Sequence, residues 1–192
     1  MIEIRIHGRG GQGNVVAAYL MASAAFEAGQ YCQAFPAFGA ERRGAPVEAY
    51  IRIDSQPILR RDTVRSPSLV VVQDATLLHE TDLASGLAAG GGVLVNSERA
   101  ASALREDYGI DILEAIPASG MARERIGRPV PNVALLAGLL SLTGMMPVDA
   151  LVKALSGRFS GEVLKGNEAL AREAAGRVEA GAWREVAHAS SA

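Results

Sequence analysis

Only one cysteine, Cys32, occurs among the 192 residues. A single thiol excludes an internal disulfide framework and fits a reducing cytoplasm. It also excludes an iron–sulfur cluster held by this chain alone, since such clusters usually need four thiolates. The three histidines, His7, His79 and His188, lie far apart and lack metal-ligand spacing, so no metal site is expected. Excess positive charge is missing too. A formal net charge of −2 and an isoelectric point near 5.9 argue against nucleic-acid binding, which favours a basic face. No apolar run reaches the roughly 18 residues that a membrane helix needs, so no membrane span is expected. The chain is expected to enter a strand within two residues of Met1, so no signal peptide is expected ahead of the fold.

What is present is an apolar content of 49%, enough for one good core in a chain of this length. We read residues 1–186 as a single domain and 187–192 as a small, polar, frayed tail. Ile2, Ile4 and Ile6 alternate with Glu3, Arg5 and His7, which predicts a strand. After it come Gly8, Arg9, Gly10, Gly11, Gln12 and Gly13, then an apolar helix from about Val15 to Ala28 closed by Gly29. The glycines at 8, 10 and 13 have the spacing and the strand–turn–helix setting of a dinucleotide-binding phosphate loop. An NAD site also wants an acid about 20 residues on, at the tip of the next strand. The expected second strand, Tyr31–Phe35, runs into Pro36-Ala37-Phe38-Gly39 with no acid at its tip. The loop therefore reads first as a tight structural turn, with an anion or phosphate cradle as its functional alternative, and NAD is not expected.

Strand and helix signals continue to alternate, predicting an α/β fold. Val47–Ile53 reads as a half-exposed strand, with Ile58-Leu59 starting a short return strand. Leu69–Gln73, ending at Asp74, is a β-branched run suited to a central parallel strand. Val93–Asn96 reads as another buried strand, and Tyr108–Leu113 as one more. Three helices are expected beyond it: Asn132–Leu142, apolar on nearly every face, then Pro147–Leu155 and Glu162–Trp183. The whole is a Rossmann-like three-layer α/β/α sandwich, with a mostly parallel sheet and a helical C-terminal part. Cys32 is expected to be a packed, inert thiol. Asp74 stands at the edge where open α/β sheets bind ligands, or caps the next turn. Trp183 is expected to pack or dock.

The densest information lies in residues 33–47, where Phe35, Pro36, Phe38, Gly39, Glu41, Arg42, Arg43, Gly44 and Pro46 crowd together. Such a stretch is stiff at its prolines and rich in groups that bind carboxylates or phosphates. Together with Gly8–Gly13, Arg52-Ile53 to Pro57-Ile58, Leu69–Asp74, Pro131-Asn132, Thr143-Gly144 and Lys165–Glu168, it resembles the gamma subunit of pyruvate:ferredoxin oxidoreductases. The resemblance spans essentially the whole chain. The run Phe38-Gly39-Ala40-Glu41-Arg42-Arg43-Gly44-Ala45-Pro46 resembles the pyruvate-type form; 2-oxoglutarate-type subunits more often carry Tyr-Gly and Arg-Gly-Gly there.

That resemblance implies a subunit of a cytoplasmic, hetero-oligomeric enzyme. The enzyme converts a 2-oxoacid, coenzyme A and oxidised ferredoxin to acyl-CoA, carbon dioxide and reduced ferredoxin. Thiamine diphosphate with Mg, and iron–sulfur clusters, are implied on partner chains of alpha, beta and delta type. This chain lacks the Gly-Asp-Gly pattern that holds magnesium and the thiamine pyrophosphate, so it has no expected catalytic residue and is expected to be inactive alone. Two uses stand open for its basic residues. Arg9, Arg42 and Arg43 can grip the phosphates of coenzyme A bidentately, or Glu41, Arg42 and Arg43 can form a subunit interface anchored by Phe35 and Phe38. A free-standing nucleotide-binding oxidoreductase and a pure assembly scaffold are the alternative readings.

Overall fold

Alternation and glycine spacing at the N-terminus translate directly into structure. The computed structural model describes residues 1–37, 44–80, 82–83 and 85–189. Strand β1 (Ile2–Arg9) puts Ile2, Ile4 and Ile6 into one core. Helix α1 (Asn14–Glu27) follows, and Gly29 leaves it with φ 74°. β2 (Tyr31–Pro36) and β3 (Pro46–Asp54) come next, then β4 (Leu69–Val72) and the single turn α2 (Leu77–Glu80). β5 (Gly92–Asn96), α3 (Ala101–Tyr108) and β6 (Leu113–Ile116) complete the sheet. Helices α4 (Ala118–Ile126), α5 (Asn132–Thr143), α6 (Val148–Leu155) and α7 (Gly161–Ala175) end the fold.

The strands lie in the order β2-β3-β1-β4-β5-β6. β1, β4, β5 and β6 are mutually parallel, while β3 pairs antiparallel with both β1 and β2. Only β3 therefore runs against the rest, so the sheet is mostly parallel, as expected. The α/β/α layering is asymmetric. One face carries α1 and α4 to α7 on a continuous apolar core. The other carries α2, α3 and Leu83 over Val70, Val72, Val93 and Val95. α5 is the spine of the thick face: its five buried leucines at 135, 136, 139, 140 and 142 each contribute about 2 kcal/mol on burial. Gly138 lets it approach β6, since a Cβ there would sit 3.0 Å from Ile116 Cδ1.

Several expectations fail for identifiable reasons. β3 is not half-exposed: α1 packs over Ala49, Ile51 and Ile53 on one face, Tyr50 and Arg52 are enclosed on the other, and Ala49 to Ile53 are all buried. The outer face of this half of the sheet is polar yet buried. Arg52 is fully enclosed, with Nε donating to Glu3 Oε1 at 2.7 Å, and Arg5 donates to the carbonyls of Leu83 and Ser85. Ile58-Leu59 form no strand, and Leu59 is 87% exposed. Tyr108–Leu113 is not a strand; Tyr108 ends α3, Gly109 turns with φ 63°, and pairing starts at Leu113. α3 escapes the sequence pattern because Leu104 is its only buried residue. The last helix stops at Ala175, with Gly176 as its cap, far short of Trp183. The chain then folds back over α5: Gly181 N–H donates to Ser141 O, and Trp183 N–H donates to Leu142 O. Trp183 is buried, as packing required. Ala187, expected in a frayed tail, is buried in a 3₁₀ turn over Val186–His188.

Candidate functional site

The glycine loop leaves β1 at Arg9 and enters α1 through Gly13, a left-handed N-cap with φ 81°. Glycine is required twice here. A Cβ on Gly8 would sit 2.2 Å from Asn14 Oδ1, and one on Gly13 would sit 2.9 Å from Asn132 Nδ2. Asn14 is held there because its Nδ2 donates to Val47 O at 3.0 Å. The loop is also stitched to the start of β3: Gly10 N–H donates to Ala45 O, and Gly44 N–H donates to Gly10 O.

The side of the loop facing β4 is closed by its own side chains. Gln12 Oε1 accepts from Arg9 N–H at 2.7 Å, and Gln12 Nε2 donates to Asp74 Oδ2 at 2.8 Å. Arg9 donates from Nε to Asp74 at 3.2 Å and from Nη2 to Glu80 at 2.6 Å, with Thr76 and Gly44 O as further acceptors. Burial pushes the Asp74 carboxyl up. Hydrogen bonds from Thr76 and Gln12, with the Arg9 guanidinium, outweigh this and hold it below the usual carboxylate range. Arg9 is thus engaged by internal carboxylates. The acid beside the loop is Asp74, from β4. β2 lies two strands away from β1, beyond β3, so its tip never reaches the loop.

The opposite side of the loop is open. Gln73, at the end of β4, is 2% exposed, and neither Oε1 nor Nε2 has a partner. Asn132, the first residue of α5, donates from Nδ2 to Gly13 O at 3.0 Å and leaves Oδ1 unpartnered. Asn96 fixes the neighbouring strand end by donating to Gln73 O and to Ser119 Oγ. Sequence reasoning missed Gln73, Asn96 and Asn132 as a group. The available signal was a polar residue closing each buried strand or opening a buried helix at one edge of the sheet.

Of the expected interface residues, Phe35 lies on β2 against Tyr50, ring centroids 5.4 Å apart, with the Arg52 guanidinium 5.6 Å from its ring. Phe38, Glu41, Arg42 and Arg43 fall outside the described residues. Beside Phe35, Tyr50 Oη donates to Glu48 Oε2 at 2.6 Å, and burial with that contact raises the phenol to about 12. His7 Nδ1 lies 3.5 Å from Glu48, but burial, aided by Arg5, outweighs that charge and lowers the imidazole to about 4. Cys32 is half-buried; its thiol donates to Ala22 O, and burial pushes its pKa up. Among the described residues no cluster of three or more His, Cys, Asp or Glu can hold a metal, and no helix is long and apolar enough to cross a membrane. With one cysteine, these residues do not fit an iron–sulfur cluster.

Comparison with known proteins finds relatives over nearly the whole chain. The family model described as pyruvate ferredoxin/flavodoxin oxidoreductase matches residues 3–176. Pyruvate synthase subunit PorC of Methanothermobacter thermautotrophicus is 44% identical over 180 residues, covering 93% of this chain and 97% of that one. The pyruvate/ketoisovalerate oxidoreductases common subunit gamma of Thermococcus kodakarensis is 44% identical over 176 residues, covering 91% and 95%. The crystal structure of pyruvate oxidoreductase subunit PORC from Thermotoga maritima superposes with a TM-score of 0.81 at 37% identity, over 91% of this chain and 95% of that one.

Proposed function

The chain belongs to the pyruvate ferredoxin/flavodoxin oxidoreductase family, and from that premise we propose how it serves its enzyme. It is the gamma-type subunit of a 2-oxoacid:ferredoxin oxidoreductase, and the alternative of a free-standing nucleotide-dependent oxidoreductase is set aside. In our reading its partners are alpha-, beta- and delta-type chains in the cytoplasm, which carry thiamine diphosphate with Mg and the iron–sulfur clusters and pass electrons to ferredoxin. Thiamine diphosphate would supply the carbanion chemistry there. This chain would dock on those partners and shape the coenzyme A side of the complex.

The observation that carries this reading is the stitching of the glycine loop to Gly44-Ala45. It fixes Gly44-Ala45, which directly follow Arg43 in the chain, against the loop that opens α1, an end whose dipole favours anions. Arg42 and Arg43 would meet coenzyme A phosphates or a partner's acidic surface, with Phe35 and Phe38 as apolar anchors. Because Arg9 is engaged by Asp74 and Glu80, it holds the loop's shape in this reading and does not itself grip phosphate. The name of the Thermococcus relative, a subunit common to two oxidoreductases, fits a chain that leaves 2-oxoacid choice to other subunits.

Anaerobic native purification of the tagged chain tests this. Thiamine-binding and cluster-bearing chains should come with it, and the complex should reduce viologen dependent on pyruvate and coenzyme A, while the chain alone reduces none. Pyruvate-dependent reduction by the isolated chain would overturn the reading. Within the complex, replacing Arg42 and Arg43 with Ala should raise the apparent KM for coenzyme A with assembly intact if the pair meets ligand. Loss of assembly would assign the pair to the interface.

A further inference from the structure

Strand β2 ends the sheet: it pairs with β3 on one side and, among the described residues, with nothing on the other. Ala37 N–H donates to Glu48 O, so in the β2–β3 register Tyr31, Gln33 and Phe35 turn their backbone groups toward β3. Cys32, Ala34 and Pro36 turn theirs outward, and no described N–H or C=O group pairs with them. An open edge of this kind is a template for another strand, and natural sheets usually block it with charge or a bulge. Tyr31-Cys32-Gln33-Ala34-Phe35 carries no charge, and only Pro36 interrupts the edge, at its end.

Apolar surface gathers along the same edge. Tyr19 and Phe26 of α1 are 53% and 76% exposed and line one groove with Cys32. Tyr31, which opens the strand, is 50% exposed. Aromatic side chains uncovered to this extent present about 350 Å² between the three of them, within the range of the largest apolar patch on a typical monomer. That is close to half of the roughly 800 Å² each partner gives to a stable interface, before the strand edge is added. Glu27 and Lys153, exposed on the rim of the groove, carry opposite charges, and among the described residues neither makes an ion pair.

The pattern of the strand names its occupant. Two β2 strands set antiparallel about a two-fold axis through Gln33 use every outward N–H, because Cys32 of each copy exchanges N–H and C=O with Ala34 of the other. A register centred on Ala34 would instead set Pro36, which has no N–H, against Cys32. Centred on Gln33, the pairing stands Tyr31 opposite Phe35 of the second copy, an aromatic cross-strand pair, and brings no like charges face to face. The same axis carries α1 toward its copy, closing Tyr19 and Phe26 between them, and each rim offers an acid and a base for pairing across it. We propose that β2 is a self-pairing edge through which two copies of this chain join their six-stranded sheets into one. The inference does not depend on where Arg42 and Arg43 act.

Light scattering during size exclusion of the full chain reads the association, and the parent chain should run at the mass of two copies at micromolar concentration. Tyr31→Lys, at an exposed site, should weaken association at least tenfold. Ala34→Pro deletes an outward N–H, leaves the bonds to β3 in place, and should do the same; the surface variant keeps the test decisive if this one fails to fold. Gln33→Cys in a Cys32→Ser background reads the register. Directly opposed residues of a non-hydrogen-bonded antiparallel pair stand close enough for a disulfide, so mild oxidation should cross-link two copies and reductant should release them. A single-copy mass at the highest concentration reached, association unmoved by Tyr31→Lys, or a two-copy chain that gives no cross-link at position 33 would each overturn the proposal. None of these outcomes bears on whether the chain assembles with thiamine-binding partners, which the purification reads separately.

Discussion

Gln73 and Asp74 are adjacent residues closing the same strand, and they meet opposite fates. Asp74 accepts from Gln12, Thr76 and Arg9, so its charge is fully occupied. Gln73 points the other way and is the more deeply buried of the two, with no partner for either end of its amide. The strand's alternation explains the divergence: consecutive side chains leave on opposite faces. One face of the loop is thereby sealed by internal ion pairs and the other left chemically open. The deeper of the two residues is the one left unsatisfied, the reverse of what burial alone would favour.

The sharpest way to break the comparison is to disturb the loop that separates the two faces. Gly8→Ala drives a methyl into Asn14, which is itself anchored on Val47. It should cost about 3 kcal/mol, as overpacking does at a rigid contact, read as a shift of the urea midpoint at constant slope.

A second effect of similar size is pH-dependent and belongs to the polar half of the sheet. His7 is lowered to about 4 by burial, from 6.5 when unfolded. The unfolded state therefore binds more protons between those values, so stability is fully present above pH 6.5 and falls as the pH drops toward 4. The loss should be about 3 kcal/mol by pH 4. His7→Gln should flatten that window in unfolding curves from pH 4 to 7; an unchanged slope would assign it to other groups.

Smaller still is the effect of opening the sealed face. Asp74→Ala strips acceptors from Arg9, Gln12 and Thr76 and should cost about 2 kcal/mol. The mirror change, Gln73→Leu, removes groups with no partner and should cost nothing, or stabilise by about 1 kcal/mol.

Much of this fold was legible because its signals are local. The isoleucine alternation of β1, the Val70-Val71-Val72 run of β4 and the all-round apolarity of α5 each declare their element within a few residues. Neighbourhood was not legible. Nothing in Tyr31–Pro36 says that β3 will intervene between it and β1, because pairing partners are set by crossovers and long-range packing. That is why the tip of β2 is remote from the loop, and the acid beside the loop is Asp74 from β4. α3 was hidden because it buries a single leucine, and the fold-back of Trp183 because its anchors, Ser141 and Leu142, lie some forty residues upstream. In the site, glycine spacing revealed the loop but not which of its faces Arg9 and Asp74 seal. Gln73 looks in sequence like any polar residue ending a strand; only packing shows that it has no partner.

The most direct measurement sets the adjacent pair side by side: urea unfolding of Gln73→Leu and Asp74→Ala against the parent chain, without ligand. The account predicts that Asp74→Ala loses about 2 kcal/mol while Gln73→Leu is at least as stable as the parent. A Gln73→Leu chain destabilised as much as Asp74→Ala would contradict it, because Gln73 would then be holding the fold together.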